Sequence, residues 1–564
     1  MATTEEKREL QNKLKDRLAD KYNENTSGQM MTCYIRFHSP ALTPAPQQVY
    51  PKLWEQINIK ITKHSRICKQ YNNEKSAELT SLKNQIENIQ REIELLIKEV
   101  TKEPPILPPA SSLKGLLRYW WRAMQWSNVR ALYADAPSEQ SKALKELHQQ
   151  ERQIWGGTGD KEEKGAGASK VRIQIFPADP NQQAQGHLQL AKDYRDDKKG
   201  KVPAAKWKSE YTKLCSRYVD PVQYLMGQAF KRQFNAIPTR ENITKKYDIG
   251  GIKPMIPTDK RFRVQLFLDS DLTPEQREQV LYALLCVAEF GGLGARSRKG
   301  FGSFSIEGLK QQMVSSASVD TLRERLKELI EDAVIDSNAA TEHPDLPPIP
   351  AFSPATKWIQ LEFSGIEPNQ MLAIIGQSYH YARLTIGEHD HDWIKKEEIP
   401  ARLQVGFPLN VAKTNLSLSY SDREIVINRR GSMVYLSFTV TQNKTIVLNV
   451  LLLTSDFLPS KETETSAFLS TREGEVKFHP SAVTDLLYRS EDPENPENPE
   501  NPENPENPED PEDPENPENP QSFFNVLVAN LLTYLPDNGK ESEEPKVSRK
   551  FSIDRGGRPS HEAK

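Results

Sequence analysis

Cysteine is scarce in this chain of 564 residues: Cys33, Cys68, Cys215 and Cys286 are the four, and no two form a C-x-x-C pair. Such spacing gives neither a structural zinc site nor a disulfide framework, so buried or incidental thiols are expected. Long apolar runs are absent as well. No stretch reaches the ~20 consecutive apolar residues that span a bilayer, and the opening Met1-Ala-Thr-Thr-Glu-Glu-Lys-Arg8 has no apolar core of a secretion signal. A cytoplasmic protein with no membrane partner is the expectation. Catalytic signatures are missing too, because no Ser-His-Asp, H-E-x-x-H, paired-carboxylate or zinc-ligand motif occurs locally. His389-Asp-His-Asp392 is the one histidine cluster, and its polar setting reads as a solvated loop. No catalytic residue, metal or cofactor is assigned.

The charge balance conceals an asymmetry. The whole chain carries 78 acidic against 75 basic side chains, but residues 491–520 repeat Pro-Glu-Asn with 13 carboxylates, 10 prolines and no Lys or Arg. Without that run, 65 acids face 75 cations, so the body is basic and suits a polyanionic partner. A proline at every third position and like charges throughout predict an extended, disordered insertion.

Length predicts two to three domains, since single cores stop growing at roughly 250–300 residues. The pattern reads as α+β. Residues 1–29 form a polar N-terminal segment, and a strand begins near Met31 and ends at Ser39-Pro40. Leu79, Leu82, Ile86, Ile89, Ile93, Leu96 and Val100 alternate spacings of three and four. This is a heptad seam, and with residues 50–70 as the other arm it predicts a helical hairpin inserted at 50–100. Further strands are expected at Val171–Phe176, Phe262–Leu268 and Phe301–Ile306, with a helix from Gln276 to Phe290 ending on Gly291-Gly292. The first domain is placed at 30–340 and a Pro/Asp-rich linker at 341–354. A second domain at 355–564 then repeats the logic: strand Lys357–Phe363, helix Asn369–Leu384, strands Leu403–Leu409, Ile425–Asn428, Met433–Gln442 and Thr445–Leu453, and a helix Phe523–Leu535 beyond the acidic run.

The densest chemical signal lies between Gly291 and Phe304. Gly291, Gly292, Gly294, Gly300 and Gly302 alternate with Arg296, Arg298 and Lys299 inside fourteen residues, so backbone amides and positive charge can both approach a phosphate. The loop is no Walker A motif, because Gly300 is followed by Phe301; it joins a helix to a strand, which excludes a dinucleotide fingerprint. A second cationic feature opens at Ser111-Ser112, expected as helix N-cap. Lys114, Arg118 and Arg122 then stack at i, i+4 and i+8 along a different face from the apolar stripe of Leu113, Leu116, Leu117, Trp120, Trp121 and Met124. His38, at the end of the first strand, has the chemistry of a general base toward a ribose hydroxyl, although a structural histidine is the preferred reading.

These motifs resemble a known group. Gly291 to Phe304 is similar to the signature loop of the RAMP superfamily of CRISPR-associated proteins. The helix Ser111-Ser-Leu-Lys-Gly-Leu-Leu-Arg-Tyr-Trp-Trp-Arg-Ala-Met124 resembles that of subunit one of the type III-B Cmr module. Trp155-Gly-Gly-Thr-Gly159, Arg402 to Leu409 and Arg429-Arg-Gly-Ser432 look like further family elements, whereas His38 to Thr43 follows the family's first loop only loosely. The resemblance implies two ferredoxin-like (RRM-like) RAMP domains and a non-catalytic, RNA-binding structural subunit of an antiviral ribonucleoprotein. Such a subunit holds the 3′ part of the guide RNA and helps capture complementary target RNA, beside backbone RAMP subunits and the large polymerase-like subunit. Arg429 and Arg430 join the RNA-binding residues on this ground. The alternative is a metal-independent RAMP endoribonuclease that processes guide precursors.

Overall fold

The computed structural model describes residues 29–42, 51–73, 78–102, 107–133, 140–157, 167–178, 189–190, 221–226, 254–311, 319–335, 346–386, 410–411, 414–415, 417–420, 423–427, 432–453, 455, 467–470, 475–478, 523–532 and 546–553. In the first half these form β1 (Gln29–Phe37), β2 (Ala41–Leu42), α1 (Pro51–Asn73), α2 (Leu79–Lys102), α3 (Ala110–Ala131), α4 (Gln140–Trp155), β3 (Val171–Pro177), β4 (Gln189–Leu190), α5 (Pro221–Met226), β5 (Pro254–Ile256), β6 (Arg261–Leu268), α6 (Pro274–Phe290), β7 (Phe304–Gln311) and α7 (Val319–Ile335). The second half holds β8 (Lys357–Ser364), α8 (Pro368–Ile386), β9 (Asn410–Val411), β10 (Thr414–Asn415), β11 (Ser417–Tyr420), β12 (Arg423–Ile427), β13 (Val434–Val440), β14 (Ile446–Leu452), β15 (Ala467–Ser470), β16 (Glu475–Phe478), α9 (Phe523–Leu532) and β17 (Lys546–Ile553).

Of three four-stranded antiparallel sheets among the described residues, two organise the core, and the third has the order β12-β11-β15-β16. The first has the order β3-β6-β1-β7 and the second β13-β14-β8-β17. Numbered within its own set, each sheet therefore runs 2-3-1-4, with four described helices between strands one and two in the first sheet and one in the second, and one helix between strands three and four in each. Period-two patterning turns one face of the first sheet inward. Met31, Cys33, Ile35 and Phe37 of β1 and Phe262, Val264, Leu266 and Leu268 of β6 are buried against α3 and α6, while Arg261 and Arg263 point away.

Helix α6 begins on a capping box, Thr273 accepting from the Gln276 amide and Gln276 returning the contact to the Thr273 amide. Every residue from Val280 to Ala288 is buried, so α6 lacks the polar face of a surface helix. The reason is that a sheet lies on each side of it. Trp358, Tyr435, Leu451 and Leu453 of the second sheet join the core of the first, whereas Leu361, Phe363, Leu436, Phe438, Leu448 and Val450 face α8 and α9. The second sheet also closes the C-terminal end of α6. Ser437 Oγ donates to the Ala288 carbonyl at 3.4 Å and Asn449 Nδ2 to the Glu289 carbonyl at 2.9 Å, satisfying acceptors that a helix end leaves open.

Helices α1 and α2 pack on each other. His64, Ile67 and Cys68 of one arm and Ile86, Ile89 and Ile93 of the other are buried, and none belongs to either main core cluster. Lys60 and Glu92 pair across the arms at 2.6 Å. Helix α5 and β5 were not read from the sequence; Val222, Leu225 and Met255 reach the core beneath α8. The strand expected from Phe301 starts at Phe304, because residues 301–303 stay in the preceding loop. Leu403–Leu409, the helix continuation at 533–535 and the acidic run 491–520 lie outside the described residues. Among the described residues no helix is long and apolar enough to cross a membrane.

Candidate nucleic-acid interface

The glycine-rich segment is a folded loop. It leaves α6 at Gly291, where an added Cβ would sit 2.9 Å from the Val287 carbonyl oxygen and 3.1 Å from Trp120 Nε1. Leu293 N donates to the Gly302 carbonyl at 2.9 Å and Gly302 N to the Pro40 carbonyl at 3.0 Å, so the loop closes on itself and on the turn after β1. Gly302 has φ 68°, and a Cβ there would lie 1.9 Å from the Leu293 oxygen. A Cβ on Gly292 would lie 2.7 Å from the Phe301 oxygen, and Gly300, at φ 82°, meets Ile375 and Leu372 of α8. These glycines serve close packing inside the protein.

The loop is fastened to the second sheet as well. Gly300 N donates to the Leu436 carbonyl at 2.8 Å and Leu436 N to the Arg298 carbonyl at 3.1 Å, one parallel rung on the edge strand β13. Ser303 joins the two halves: its amide donates to Ser39 Oγ at 2.8 Å, its hydroxyl to the Gly300 carbonyl at 3.0 Å, and Phe438 N donates to that hydroxyl at 3.3 Å. What projects from this brace is the tip. Gly294, Ala295 and Arg296 are exposed, with Gly294 at φ 103° and Arg296 at φ 65°, a left-handed placement uncommon for a side chain other than glycine.

The three loop cations part company. Arg296 stands on the exposed tip. Arg298 turns inward, donating through Nη1 to the Ser432 carbonyl at 2.7 Å with its guanidinium 4.7 Å from the centre of the Tyr435 ring and 5.9 Å from that of Tyr119. Lys299 lies half-buried, its Nζ 4.3 Å from the Tyr379 ring centre and 6.0 Å from that of Tyr224. Burial, then the charges of Arg296 and Arg383, push its ammonium down to about 7.

The cationic face of α3 is also partly committed. Arg118 pairs with Glu151 of α4, Arg122 Nε lies 3.6 Å from the same carboxylate, and His148 Nδ1 is 3.0 Å from its other oxygen. The Glu151 side chain is 2% exposed, so these cations offset a buried charge before they reach solvent. Lys114 is lowered by burial and then by Arg118. The stripe meets the loop at Tyr119, whose hydroxyl bonds that of Tyr435 and whose ring faces Arg298. The expected N-cap is corrected. Pro109 holds that position without a side-chain bond, the helix starts at Ala110, and the Ser112 and Leu113 amides already donate to the Pro109 carbonyl. Proline fits the extended backbone of that position, which leaves Ser111 and Ser112 inside the first turn.

His38 is 5% exposed and its amide donates to the Ser303 carbonyl at 2.8 Å. Burial first, then Arg36 and Arg323 against an opposing Asp259, push its imidazole down to about 4, so the ring is neutral. Arg429, Arg430 and His389-Asp-His-Asp392 lie outside the described residues. Among the described residues no three His, Cys, Asp or Glu side chains come together to hold a metal.

Sequence reasoning missed Glu151, Tyr224, Tyr379 and Arg383. Tyr224 sits in a stretch with no periodic pattern. Tyr379 and Arg383 are four apart on α8, a spacing that places them on one helix face and was the available signal.

Comparison with known proteins gives three findings. The RAMP superfamily model matches residues 34–305. No curated protein matches the chain. Among solved structures, the chain is similar to apo Cmr1 from Pyrococcus furiosus, at 14% identity and a TM-score of 0.35 over 81% of this chain and 96% of that one. It is also similar to a chain of the type III-B Cmr-beta complex bound to cognate target RNA, at 14% identity and a TM-score of 0.35 over 76% and 95%. Residues 34–305, which carry the glycine-rich loop and the β1 turn that seats it, are similar to the RAMP superfamily.

Proposed function

We propose that this protein is a non-catalytic, RNA-binding structural subunit of a type III-B CRISPR effector in the cytoplasm. In this reading it holds the 3′ part of the guide RNA beside the backbone RAMP subunits and the large polymerase-like subunit, and helps capture target RNA. The observation that carries the reading is the exposed, left-handed tip Gly294–Arg296 on a loop braced by both halves of the molecule. A rigid cation on a fixed backbone suits a phosphate, because little ordering remains to be done on binding. The order 2-3-1-4 in both sheets supports two ferredoxin-like domains, at about 30–340 and 355–564, joined by a linker near 341–354. The helical pair α1 and α2 is then an insertion in the first. The enclosed His38 ring argues against its use as a general base. Arg429 and Arg430 are assigned to the same RNA surface.

Purifying the protein with its neighbouring gene products and sequencing the bound RNA tests the reading. Guide RNA should co-purify, and the substitution Arg296→Ala together with Lys114→Ala should reduce it without breaking the assembly. Repeat-containing RNA incubated with the protein and EDTA should stay intact; discrete cleavage products would sink the non-catalytic assignment.

A further inference from the structure

Three cations from distant parts of the chain converge beside the loop. Arg296 comes from the tip, Lys299 from the rung on β13, and Arg383 from α8 of the second half. Lys299 Nζ lies 6.0 Å from the centre of the Tyr224 ring whose hydroxyl Arg383 engages, and the Lys299 amide donates to the Arg296 carbonyl at 2.9 Å, so one turn of loop and one ring bring the three cations together in one place. Two rings wall it: Lys299 Nζ lies over Tyr379 at 4.3 Å, and Arg383 Nη1 donates to the half-buried Tyr224 hydroxyl at 3.2 Å. The Tyr224 ring is itself backed by His380, with centroids 4.1 Å apart and an interplanar angle of 34°. Gathering like charges where burial already disfavours them raises the free energy of the empty protein. An anion placed among them removes that cost.

We propose that Arg383 and Tyr224 extend the RNA-binding surface onto α8, with one phosphodiester seated among Arg296, Lys299 and Arg383 and the neighbouring base lying on the Tyr224 ring. This inference rests on the reading of the loop as RNA-binding. A single strand fits better than a duplex, since an unstacked base is needed to reach an aromatic face, and base-on-ring stacking is tolerant of sequence. It carries the RNA surface across the junction of the two halves, beyond the α3 stripe, where Glu151 already engages Arg118 and Arg122.

The test uses the whole chain and a fluorescein-labelled single-stranded oligouridylate, with affinity measured as a function of salt. Arg383→Gln should weaken binding by about fivefold at low salt and flatten the salt slope by ~0.7, as Arg296→Ala should, and Arg383→Lys should restore the slope. Tyr224→Leu removes the ring that carries the base but no charge, so it should weaken binding by about fivefold. If Arg296→Ala weakens binding and Arg383→Gln does not, the inference is wrong while the loop reading stands. If neither substitution matters, the loop reading itself fails. A Tyr224→Leu protein that binds as tightly as the parent would show that no base lies on that ring, which also overturns the inference.

Discussion

Arg298 places its guanidinium 4.7 Å from the centre of the Tyr435 ring while donating to the Ser432 carbonyl, so a cation of the glycine-rich loop is spent on joining the two sheets. A charge-assisted bond to a carbonyl contributes ~1.5–3 kcal/mol, and a partly desolvated cation over a ring ~0.5–2 kcal/mol. Arg298→Ala should therefore destabilise the protein by about 2–3 kcal/mol in denaturant unfolding. RNA affinity measured on the folded fraction should change little. A large affinity loss with unchanged stability would return Arg298 to the RNA surface.

Gly302 and Gly115 should respond oppositely to alanine. At Gly302 the new Cβ would lie 1.9 Å from the Leu293 oxygen on a backbone of φ 68°, so the loop must reopen, at a cost of about 3 kcal/mol or more. Gly115, on the exposed side of α3, has nothing within 4 Å of its added Cβ. There alanine should stabilise by about 0.5–1 kcal/mol through helix propensity. Thermal unfolding of the two variants decides both.

Glu151→Gln should lower stability and raise affinity for unrelated RNA together. The buried carboxylate is what Arg118 and Arg122 neutralise; without it their charge is uncompensated, and the protein loses about 2–4 kcal/mol, short of a fully buried pair because both guanidiniums reach solvent. Binding to a random-sequence single strand should tighten at low salt and converge with the parent at high salt. Unchanged binding would mean that the α3 stripe does not face RNA at all.

Lys299 gives a signed pH dependence. Its folded value lies at about 7, against 10.5 for an ordinary lysine. Between those values the unfolded chain holds the extra proton, so stability should rise with pH across that window, and Lys299→Met should lack this rise. Phosphate favours the ammonium form, so RNA binding should take up a proton and weaken as pH climbs through 7. Parallel pH profiles for the parent and Lys299→Met would contradict both expectations.

Much of the fold was legible because it follows from local periodicity. The alternation in β6, the proline start of α6 and the heptads of α2 each specify their element from neighbouring residues. What was illegible depends on chain segments far apart in sequence. The N-cap of α3 went to Pro109 because the extended entry from the proline-rich stretch, not a hydroxyl, decides the helix start. In the loop, composition marked a candidate site, yet it could not tell Arg296 from Arg298: two residues apart, one projects from a left-handed turn and the other faces Tyr435. Glu151 and Arg383 were invisible for the same reason, since neither carries a motif and each gains meaning from a partner on another element.

The burial of α6 between two sheets bears on how the chain can be divided. A fragment ending at Ile335 would leave Phe290 without Trp358 and Trp120 without Tyr435, and the Ala288 and Glu289 carbonyls without Ser437 and Asn449. The complementary fragment would expose the same apolar sheet face to water. The two halves repeat one strand order yet share one helix layer, so they form a single cooperative unit, and a strand of RNA seated at their junction would report on the integrity of both.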